Sequence, residues 1–308
     1  MTNKEKYETF LKSNYAPVYS QPWWMDAVCL PENWDVWLYE QNGEIWAAMP
    51  YYMERRGDYL YITKAPLTQN NGIIFSHRNN ISSVGQSAFE EKVIDAACEF
   101  IESLKLGVYE QQYQYSFKNY LPFFWNGYQA VPRYTYVIDR DINKEDAWGQ
   151  LSSNYRNKVK KGQKNGIFSE EVSCEEFYRE HEKVFLKQGL KCPFSHELWE
   201  RLYNGCAERQ QGKIFCYRSK SAYQLLGGNM PEFQRQDTYD ALIWKAICFA
   251  KEKGLVYDFE GSMIKRISKS FREFGGTPRL YFRIRKIFHK EIAYRECEDY
   301  CKKIDEDA

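Results

Sequence analysis

The sequence lacks any run of about 18 apolar residues, the length that a membrane-spanning helix needs. Its first 15 residues lack the apolar stretch of a secretory signal peptide. The 9 cysteines form no CxxC pair, and no Cys/His spacing is typical of a metal site. An odd number of scattered cysteines indicates reduced thiols. We therefore expect a cytoplasmic protein with no transmembrane segment, no disulfide framework and no metal.

The sequence also lacks an excess of either charge. Lys and Arg total 43 against 42 for Asp and Glu, a formal net charge of +1. A nearly neutral chain generates no strong field to attract DNA or an anionic membrane, so we expect no DNA partner and only a local polyanion patch. Aromatic residues make up 17% of the chain. This favours a Tyr-rich core over a ligand groove lined by aromatic rings.

Local patterns predict the elements of the first half. A helix should begin at the Pro of the Trp-rich segment 21–25, and Asn42-Gly43 should join two antiparallel strands. Apolar spacing predicts a helix over Val84–Leu106. The strands are expected at Trp34–Tyr39, Glu44–Met53, Tyr59–Thr63 and Val108–Tyr115.

The second half reads as helices followed by strands. One helix is expected over Glu145–Gln163, with two more at Glu175–Gln188 and His196–Glu208. Further elements are a helix over Asp237–Lys253 and a short helix over Ile264–Glu273. Strands are expected at Lys213–Tyr217, Ala222–Leu226, Leu255–Phe259 and Arg279–Lys286.

The two halves end in the same order of residues. In each, a helix leads to Gly, to a strand with a Tyr followed by an acidic residue, to a helical turn, and then to a Pro-Arg strand. The closing strands read PRYTYVI and PRLYFRI, a match that chance patterning explains poorly. We predict an internal duplication, with an N-terminal domain over 1–141 and a C-terminal domain over 142–308.

Three segments could support chemistry. The first is the turn from Gly228 to Asp237, where a helix N-terminus could seat a phosphate. Such turns are also common structural connections. The candidate phosphate-binding residues are Gly228, Asn229, Gln234, Arg235 and Gln236.

The second segment is the basic stretch NYRNKVKKGQK, in which Arg156 and Lys160 share one helix face. That face suits a pyrophosphate or an RNA backbone, although a solvated helix surface is the ordinary alternative.

The third segment is YDFEGS. Alternation along a strand would place Asp258 and Glu260 on one side, at the strand's C-terminal end, where two carboxylates could take a proton from an amine. Equally, Glu260 could pair with Arg266 or Arg272. No Ser-His-Asp or Cys-His arrangement can be argued from the four histidines.

The segments YDFEGSM and SFREFGG, with NYRNKVKKGQKNG upstream and YSQPWW near the start, resemble the FemAB-like branch of the GNAT acyltransferases, over about residues 21–286. The resemblance implies an α/β (α+β) bacterial protein of two tandem GNAT-like domains, with mixed, mostly antiparallel sheets flanked by helices. It also implies transfer of an acyl group from acyl-CoA, or an aminoacyl group from aminoacyl-tRNA, to an amine. The acceptor would be a peptidoglycan or saccharide precursor of the cell envelope, and tRNA would be a partner in the second case.

By the same resemblance, the acceptor would lie in a cleft between the domains. Arg156, Lys160, Thr68 and Gln69 would contact it, and Arg272 of SFREFGG matches the family's basic position near the donor. Asp258 and Glu260 are our catalytic candidates, because the amine must lose a proton as it attacks.

The second half departs from the family pattern. The family has a further hairpin before the strand that is here Ala222–Leu226, and the spacing leaves little room for it. A shortened sheet in the second domain favours an alternative function, a non-catalytic binding protein with a degenerate cleft. The intact DFEGS and FREFGG segments favour an enzyme.

Overall fold

The computed structural model describes residues 1–76, 81–165, 172–187, 189–208, 220–226 and 237–307. The chain divides into two compact units. Unit 1 consists of Met1–Pro132 together with Tyr281–Ala308, and unit 2 consists of Arg133–Leu280. Unit 1 is therefore discontinuous in sequence. The domain boundary between residues 141 and 142, which the internal duplication predicts, stays a prediction.

The helices and strands of the first half belong mainly to unit 1. The helices are α1 (Asn3–Phe10), α2 (Pro22–Cys29), α3 (Ser83–Ser103) and α4 (Leu121–Trp125). The strands are β1 (Trp34–Gln41), β2 (Glu44–Arg56), β3 (Tyr59–Thr63), β4 (Ile74–Phe75), β5 (Val108–Gln112) and β6 (Gln129–Ile138). Strand β6 continues into unit 2 from Arg133 onward.

The second half supplies unit 2 and then returns to unit 1. Its helices are α5 (Lys144–Gln150), α6 (Ser153–Lys164), α7 (Cys174–Leu186), α8 (His196–Glu208), α9 (Thr238–Glu252), α10 (Lys265–Glu273) and α11 (Lys290–Asp307). Its strands are β7 (Ser221–Tyr223), β8 (Val256–Asp258) and β9 (Thr277–Ile287). From Tyr281 onward, β9 and the helix that follows it lie in unit 1.

The sheet of unit 1 has the strand order β1-β2-β3-β5-β9, and β4 pairs with β2. Neighbouring strands are antiparallel except β3 and β5, which are parallel. The Asn42-Gly43 turn is confirmed: both residues have positive φ, as a two-residue hairpin of this type requires. The strand predicted at Tyr59–Thr63 is also confirmed with its bounds.

The core of unit 1 forms where α3 packs on this sheet. The apolar spacing that predicts the helix places Val93, Ile94, Ala97 and Ile101 on its buried face, against sheet residues such as Ile284 of β9. Full burial of a valine or isoleucine side chain is worth roughly 2 kcal/mol. The final strand of the sequence therefore contributes to the core that the first half begins.

In unit 2, β8 lies between β6 and β7. It is antiparallel to β6 and parallel to β7. Helix α9 covers this sheet with Ile243, Trp244 and Ile247, and Phe271 of α10 joins the same core. The strand predicted at Lys213–Tyr217 lies outside the described residues, so the number of strands in this unit stays a prediction.

One predicted helix is two helices. The expected helix over Glu145–Gln163 is interrupted at Leu151 and Ser152, where α5 ends and α6 begins. The Ser152 hydroxyl accepts a hydrogen bond from the Tyr155 N–H at 3.3 Å and so caps α6. The apolar spacing continues through the break, which is why the pattern alone does not show it.

Among the described residues, no helix is both long enough and apolar enough to cross a bilayer.

Candidate functional site

The candidate carboxylates lie where β8 ends in unit 2. Asp258 is the last residue of β8 and is almost fully buried. Its Oδ1 accepts a hydrogen bond from the Thr135 hydroxyl of β6 and a second from the Glu260 backbone N–H at 2.8 Å. Two donors on one oxygen fix the side chain and hold the turn that follows. Asp258 therefore positions the backbone at Glu260.

Glu260 lies on a tight turn and not on the strand. Its φ of +63° is left-handed, and Gly261 follows with a φ of +69°. A Cβ added to Gly261 would lie 2.2 Å from the Tyr134 carbonyl oxygen, so only glycine fits there. Because β8 ends at Asp258, the alternation expected to place both carboxylates on one side does not extend to Glu260.

Both carboxyl groups have raised pKa values. Burial raises the pKa of Asp258 to about 6, and the hydrogen bonds from Thr135 and from the Glu260 N–H oppose the shift. Burial raises the pKa of Glu260 to about 8. A carboxyl group that titrates near neutral pH can accept a proton from an attacking amine and release it again within one catalytic cycle.

Helix α10 follows this turn and presents a basic face. Lys265, Arg266, Lys269 and Arg272 are exposed, and none of them forms an ion pair with a described residue. The opposite side of the helix is anchored in unit 2 by Phe271 and by a 2.9 Å hydrogen bond between the Ser270 and Tyr155 hydroxyls. The alternative in which Arg266 or Arg272 pairs with Glu260 is not observed among the described residues.

The basic face predicted on α6 lies against α5. Arg156 donates hydrogen bonds to the carbonyl oxygens of Gly149 and Leu151, so it caps the C-terminal end of that helix. Lys160 is exposed, with its Nζ 6.0 Å from the centre of the Trp148 ring. The two side chains share a face as predicted. The Arg156 guanidinium, however, already donates hydrogen bonds to two backbone carbonyl oxygens.

In unit 1 the structure brings Thr68 and Gln69 together in a small polar pocket. Hydroxyl and carboxamide side chains supply much of its wall, namely Thr68, Gln69, Asn70, Asn71, Gln111 and Gln112. The pocket is formed by the turn that follows β3 and by the end of β5. The acceptor role predicted for Thr68 and Gln69 is not tested by this arrangement, but both line one cavity.

Thr68 forms a fixed part of that wall. It is buried, and its hydroxyl accepts a hydrogen bond from Trp24 Nε1 at 2.9 Å and donates one to the Pro66 carbonyl oxygen at 2.9 Å. Trp24 belongs to the Trp-rich helix α2, so the early YSQPWW segment shapes the pocket from behind. The hydroxyl proton is therefore committed to the fold, and the oxygen keeps one lone pair that these two bonds do not use.

Asn71 and Gln111 are fixed in the same way. Asn71 Oδ1 accepts hydrogen bonds from the Ser20 hydroxyl at 2.9 Å and from the Gly72 N–H at 3.1 Å. Gln111 Oε1 accepts one from the Tyr109 hydroxyl at 2.9 Å, and its Nε2 donates one to the Pro50 carbonyl oxygen at 3.0 Å. These bonds hold the wall rigid before any ligand arrives.

The remaining candidates lie elsewhere. Gly228, Asn229, Gln234, Arg235 and Gln236 lie outside the described residues, so their phosphate-binding role stays a prediction. Within the described part of the chain, no group of three or more His, Cys, Asp or Glu side chains could hold a metal ion.

Sequence reasoning missed Thr135, Asn70 and Gln112. Thr135 lies in the PRYTYVI strand and meets Asp258 only because β6 pairs with β8. Asn70 and Gln112 line the pocket with Gln69. The run of carboxamides in TQNNG is the signal that could have indicated Asn70, whereas nothing in the sequence shows that β5 ends beside that turn.

No family profile and no curated protein matches the sequence. Solved structures do match. The chain is similar to FemX, with a TM-score of 0.63 and 13% identity over 92% of this chain and 96% of FemX. It is also similar to a conserved protein of unknown function from Bacteroides thetaiotaomicron, with a TM-score of 0.52 and 8% identity over 92% of this chain and 96% of that one. At such low identity the likeness concerns the fold, and it confirms the predicted FemAB-like α/β fold.

Proposed function

We propose that the protein is an N-acyltransferase that moves an acyl or aminoacyl group from acyl-CoA or aminoacyl-tRNA to an amine of a cell-envelope or polysaccharide precursor. The proposal rests on Glu260, a carboxyl group whose pKa lies near 8, held in a left-handed turn at the end of β8. The fold shared with FemX and the exposed cations of α10 support it.

Glu260 supplies the base in this reaction. The amine nitrogen attacks the carbonyl carbon of the thioester or ester, the C–N bond forms, and the carbon–sulfur or carbon–oxygen bond breaks. The amine proton passes to the Glu260 carboxylate and then to the leaving thiolate or alkoxide. A base whose pKa lies near the working pH does this well, and such a group contributes typically 10²–10⁴-fold in rate.

Asp258 is a positioning residue. Its Oδ1 holds the Glu260 N–H at 2.8 Å, so it fixes the turn from which the base projects. Its substitution should therefore act on catalysis through the placement of Glu260.

The basic face of α10 would bind the donor. Both donors carry phosphates. The four exposed cations have no described ion-pair partners, so they could bind phosphate without first breaking an ion pair within the protein. Arg272, at the C-terminal end of the helix, matches the family's basic position near the donor. Thr68 and Gln69 mark the pocket proposed for the acceptor.

The test follows acyl transfer from acetyl-CoA and from charged tRNA to amino sugars and peptide amines. Glu260→Gln should lower kcat by about 10²-fold or more and leave KM for the donor nearly unchanged. Glu252→Gln, an exposed carboxylate of the same unit, is the matched control and should be silent. Full kcat in Glu260→Gln would rule out this carboxyl group as the base.

A second variant tests the donor side. Arg272→Ala should raise KM for the donor by about tenfold, because it removes one charge-assisted contact with phosphate. Lys12→Ala, which removes an exposed cation of unit 1, is the control. If neither donor is turned over by the unmodified protein with any amine tested, the enzyme proposal fails as a whole.

A further inference from the structure

Two hydrogen bonds hold the turn that carries Glu260, one on each side of that residue. The first joins the Glu260 N–H to Asp258 Oδ1 at 2.8 Å. The second is donated by the Ser268 hydroxyl of α10 to the carbonyl oxygen of Ser262, at 3.1 Å. Only Gly261, with its left-handed φ, lies between Glu260 and the residue that Ser268 holds. Helix α10 therefore supports the backbone from which Glu260 projects.

The Ser268 hydroxyl does not make the bond that is common for a serine inside a helix. Such a serine often donates to the carbonyl oxygen four residues earlier, which here belongs to Ile264 and accepts the Ser268 N–H at 2.9 Å. The hydroxyl instead reaches six residues back, past the start of α10, to Ser262. This bond therefore joins the helix to the turn.

Tyr136 of β6 fixes the direction of the bond. Its hydroxyl oxygen lies 3.0 Å from Ser268 Oγ, and because the single serine proton points at Ser262, the tyrosine is the donor. Tyr136 is buried, and its own carbonyl oxygen accepts the N–H of Phe259 at 3.0 Å. One residue of β6 thus supports the segment 259–262 at its start through the backbone and at its end through Ser268.

The same helix contains a second serine that pairs with a tyrosine away from the turn. Ser270 Oγ accepts a hydrogen bond from the Tyr155 hydroxyl of α6 at 2.9 Å, and Ser268 and Ser270 are both half-buried. Among the described residues, no hydrogen bond joins the Ser270 side chain to the segment 259–262. The two pairs therefore allow a matched comparison, because only one of them contacts the turn.

We propose that Ser268 is a positioning residue for Glu260 and that Tyr136 acts through it by orienting its hydroxyl. The inference rests on the proposed function, in which Glu260 accepts the amine proton. It adds the contact that connects the turn of Glu260 to the helix proposed to bind the donor. Without the Ser268 bond the turn would be held on one side only, and a misplacement of about 1 Å can lower a rate by about 10²-fold.

The first measurement needs no substrate. Burial raises the pKa of Glu260 to about 8, so this pKa reports how closely the turn holds the carboxyl group inside the protein. A ¹³C NMR titration of protein labelled in glutamate follows it, and the signal that Glu260→Gln lacks is assigned to Glu260. Ser268→Ala should lower the pKa by about one unit, because a loosened turn gives the carboxylate more water. Ser270→Ala, the matched control, should leave it unchanged.

The second measurement follows acyl transfer. Ser268→Ala should lower kcat by about tenfold and leave KM for the donor nearly unchanged, because the exposed cations of α10 stay in place. A merely structural role would lower Tm and leave both kcat and the pKa of Glu260 as in the parent. Ser268→Thr keeps a hydroxyl and should restore both. Tyr136→Phe should change both in the same direction by less, whereas Tyr155→Phe should change neither.

The inference is wrong if Ser268→Ala keeps the parent's pKa of Glu260 or, where the parent is active, its kcat. It is also wrong if Ser270→Ala lowers both to the same extent. If Ser268→Ala does not fold, Tyr136→Phe takes its place, and an unchanged pKa in that variant overturns the inference. A parent without any transfer activity, in which Ser268→Ala still lowers the pKa of Glu260, would count against the proposed function alone.

Discussion

The two units have a carboxylate at the same point of a repeated pattern, but different groups contact it in each unit. In unit 1, Glu110 follows the buried Tyr109 on β5, and in unit 2, Asp258 follows the buried Tyr257 on β8. Each strand pairs with a Pro-Arg strand, Glu110 opposite Arg285 and Asp258 opposite Val137.

The partners across the strands set the electrostatics. Arg285 Nε lies 2.9 Å from a Glu110 carboxylate oxygen, and Arg283 lies 3.8 Å from the other. Asp258 faces a threonine hydroxyl and a backbone N–H and has no described cation partner. An ion pair favours the charged form of a carboxyl group, whereas burial without a cation disfavours it. One copy of the pattern thus forms an ion pair across the sheet, and the other holds the turn that carries Glu260.

The largest expected effect concerns the turn that unit 2 has and unit 1 lacks. Gly261→Ala should lower the free energy of unfolding by about 3–5 kcal/mol, because the new Cβ would meet the Tyr134 carbonyl oxygen in a left-handed turn. Gly254→Ala is the control. It has a similar φ of +63° but no atom within 4 Å of the added Cβ, and it should cost about 1 kcal/mol. Urea unfolding would measure both, and equal losses would show that the close approach does not matter.

The second-largest effect is expected at the ion pair between Glu110 and Arg285 in unit 1. Arg285→Met should lower the free energy of unfolding by about 2 kcal/mol, since it leaves Glu110 partly buried without its near cation and also removes the pair with Glu296. Arg283→Met, at the longer distance, should cost less than about 1 kcal/mol. If chemical denaturation shows the same loss in free energy of unfolding for both variants, the distance from the arginine to the Glu110 carboxylate does not determine the size of the loss.

The corresponding test in unit 2 removes the hydroxyl that faces Asp258. Thr135→Val keeps the branched shape, and at pH 8, where Asp258 is ionised, it should cost about 1–2 kcal/mol. The loss should shrink at pH 4.5, where the carboxyl group is protonated. Thr277→Val, at an exposed position of β9, should change little at either pH. A loss that does not depend on pH would contradict a hydrogen bond to the carboxylate.

The last test concerns Glu260, whose replacement should stabilise the protein only at high pH. Its pKa in the folded protein, about 8, lies above its ordinary value, so the stability that its protonated form contributes is complete below about pH 4 and lost as pH rises through 8. Glu260→Gln should have the same free energy of unfolding as the parent at pH 5 and a higher one at pH 9, by about 1 kcal/mol or more. Thermal unfolding across this range checks it. A variant that is less stable at pH 9 would show that the carboxylate is stabilised there.

The sequence predicts local elements well wherever one short signal decides them. The Asn42-Gly43 hairpin, the strand at Tyr59–Thr63 and helix α8 at His196–Glu208 all lie where their patterns place them. The break at Leu151-Ser152 was missed, because a single capping serine competes with apolar spacing that continues on both sides.

The pairing of strands that are distant in sequence could not be predicted from such short signals. The site in unit 2 depends on Thr135 meeting Asp258, and the pocket in unit 1 depends on Gln112 lying near Asn70. The carboxylates themselves were recognisable from DFEGS, but their surroundings come from strands distant in sequence. Periodicity shows which face of a strand is buried, and it leaves the neighbouring strand open.

The position of β9 has a consequence for the synthesis of the protein. Because Arg283–Ile287 pairs with β5, unit 1 cannot complete its sheet until nearly the whole chain has left the ribosome. Until then β5 presents an open edge, the kind of surface on which nascent chains aggregate. A fragment that stops near residue 141 would keep that edge permanently, so the two sequence halves should be produced as one polypeptide.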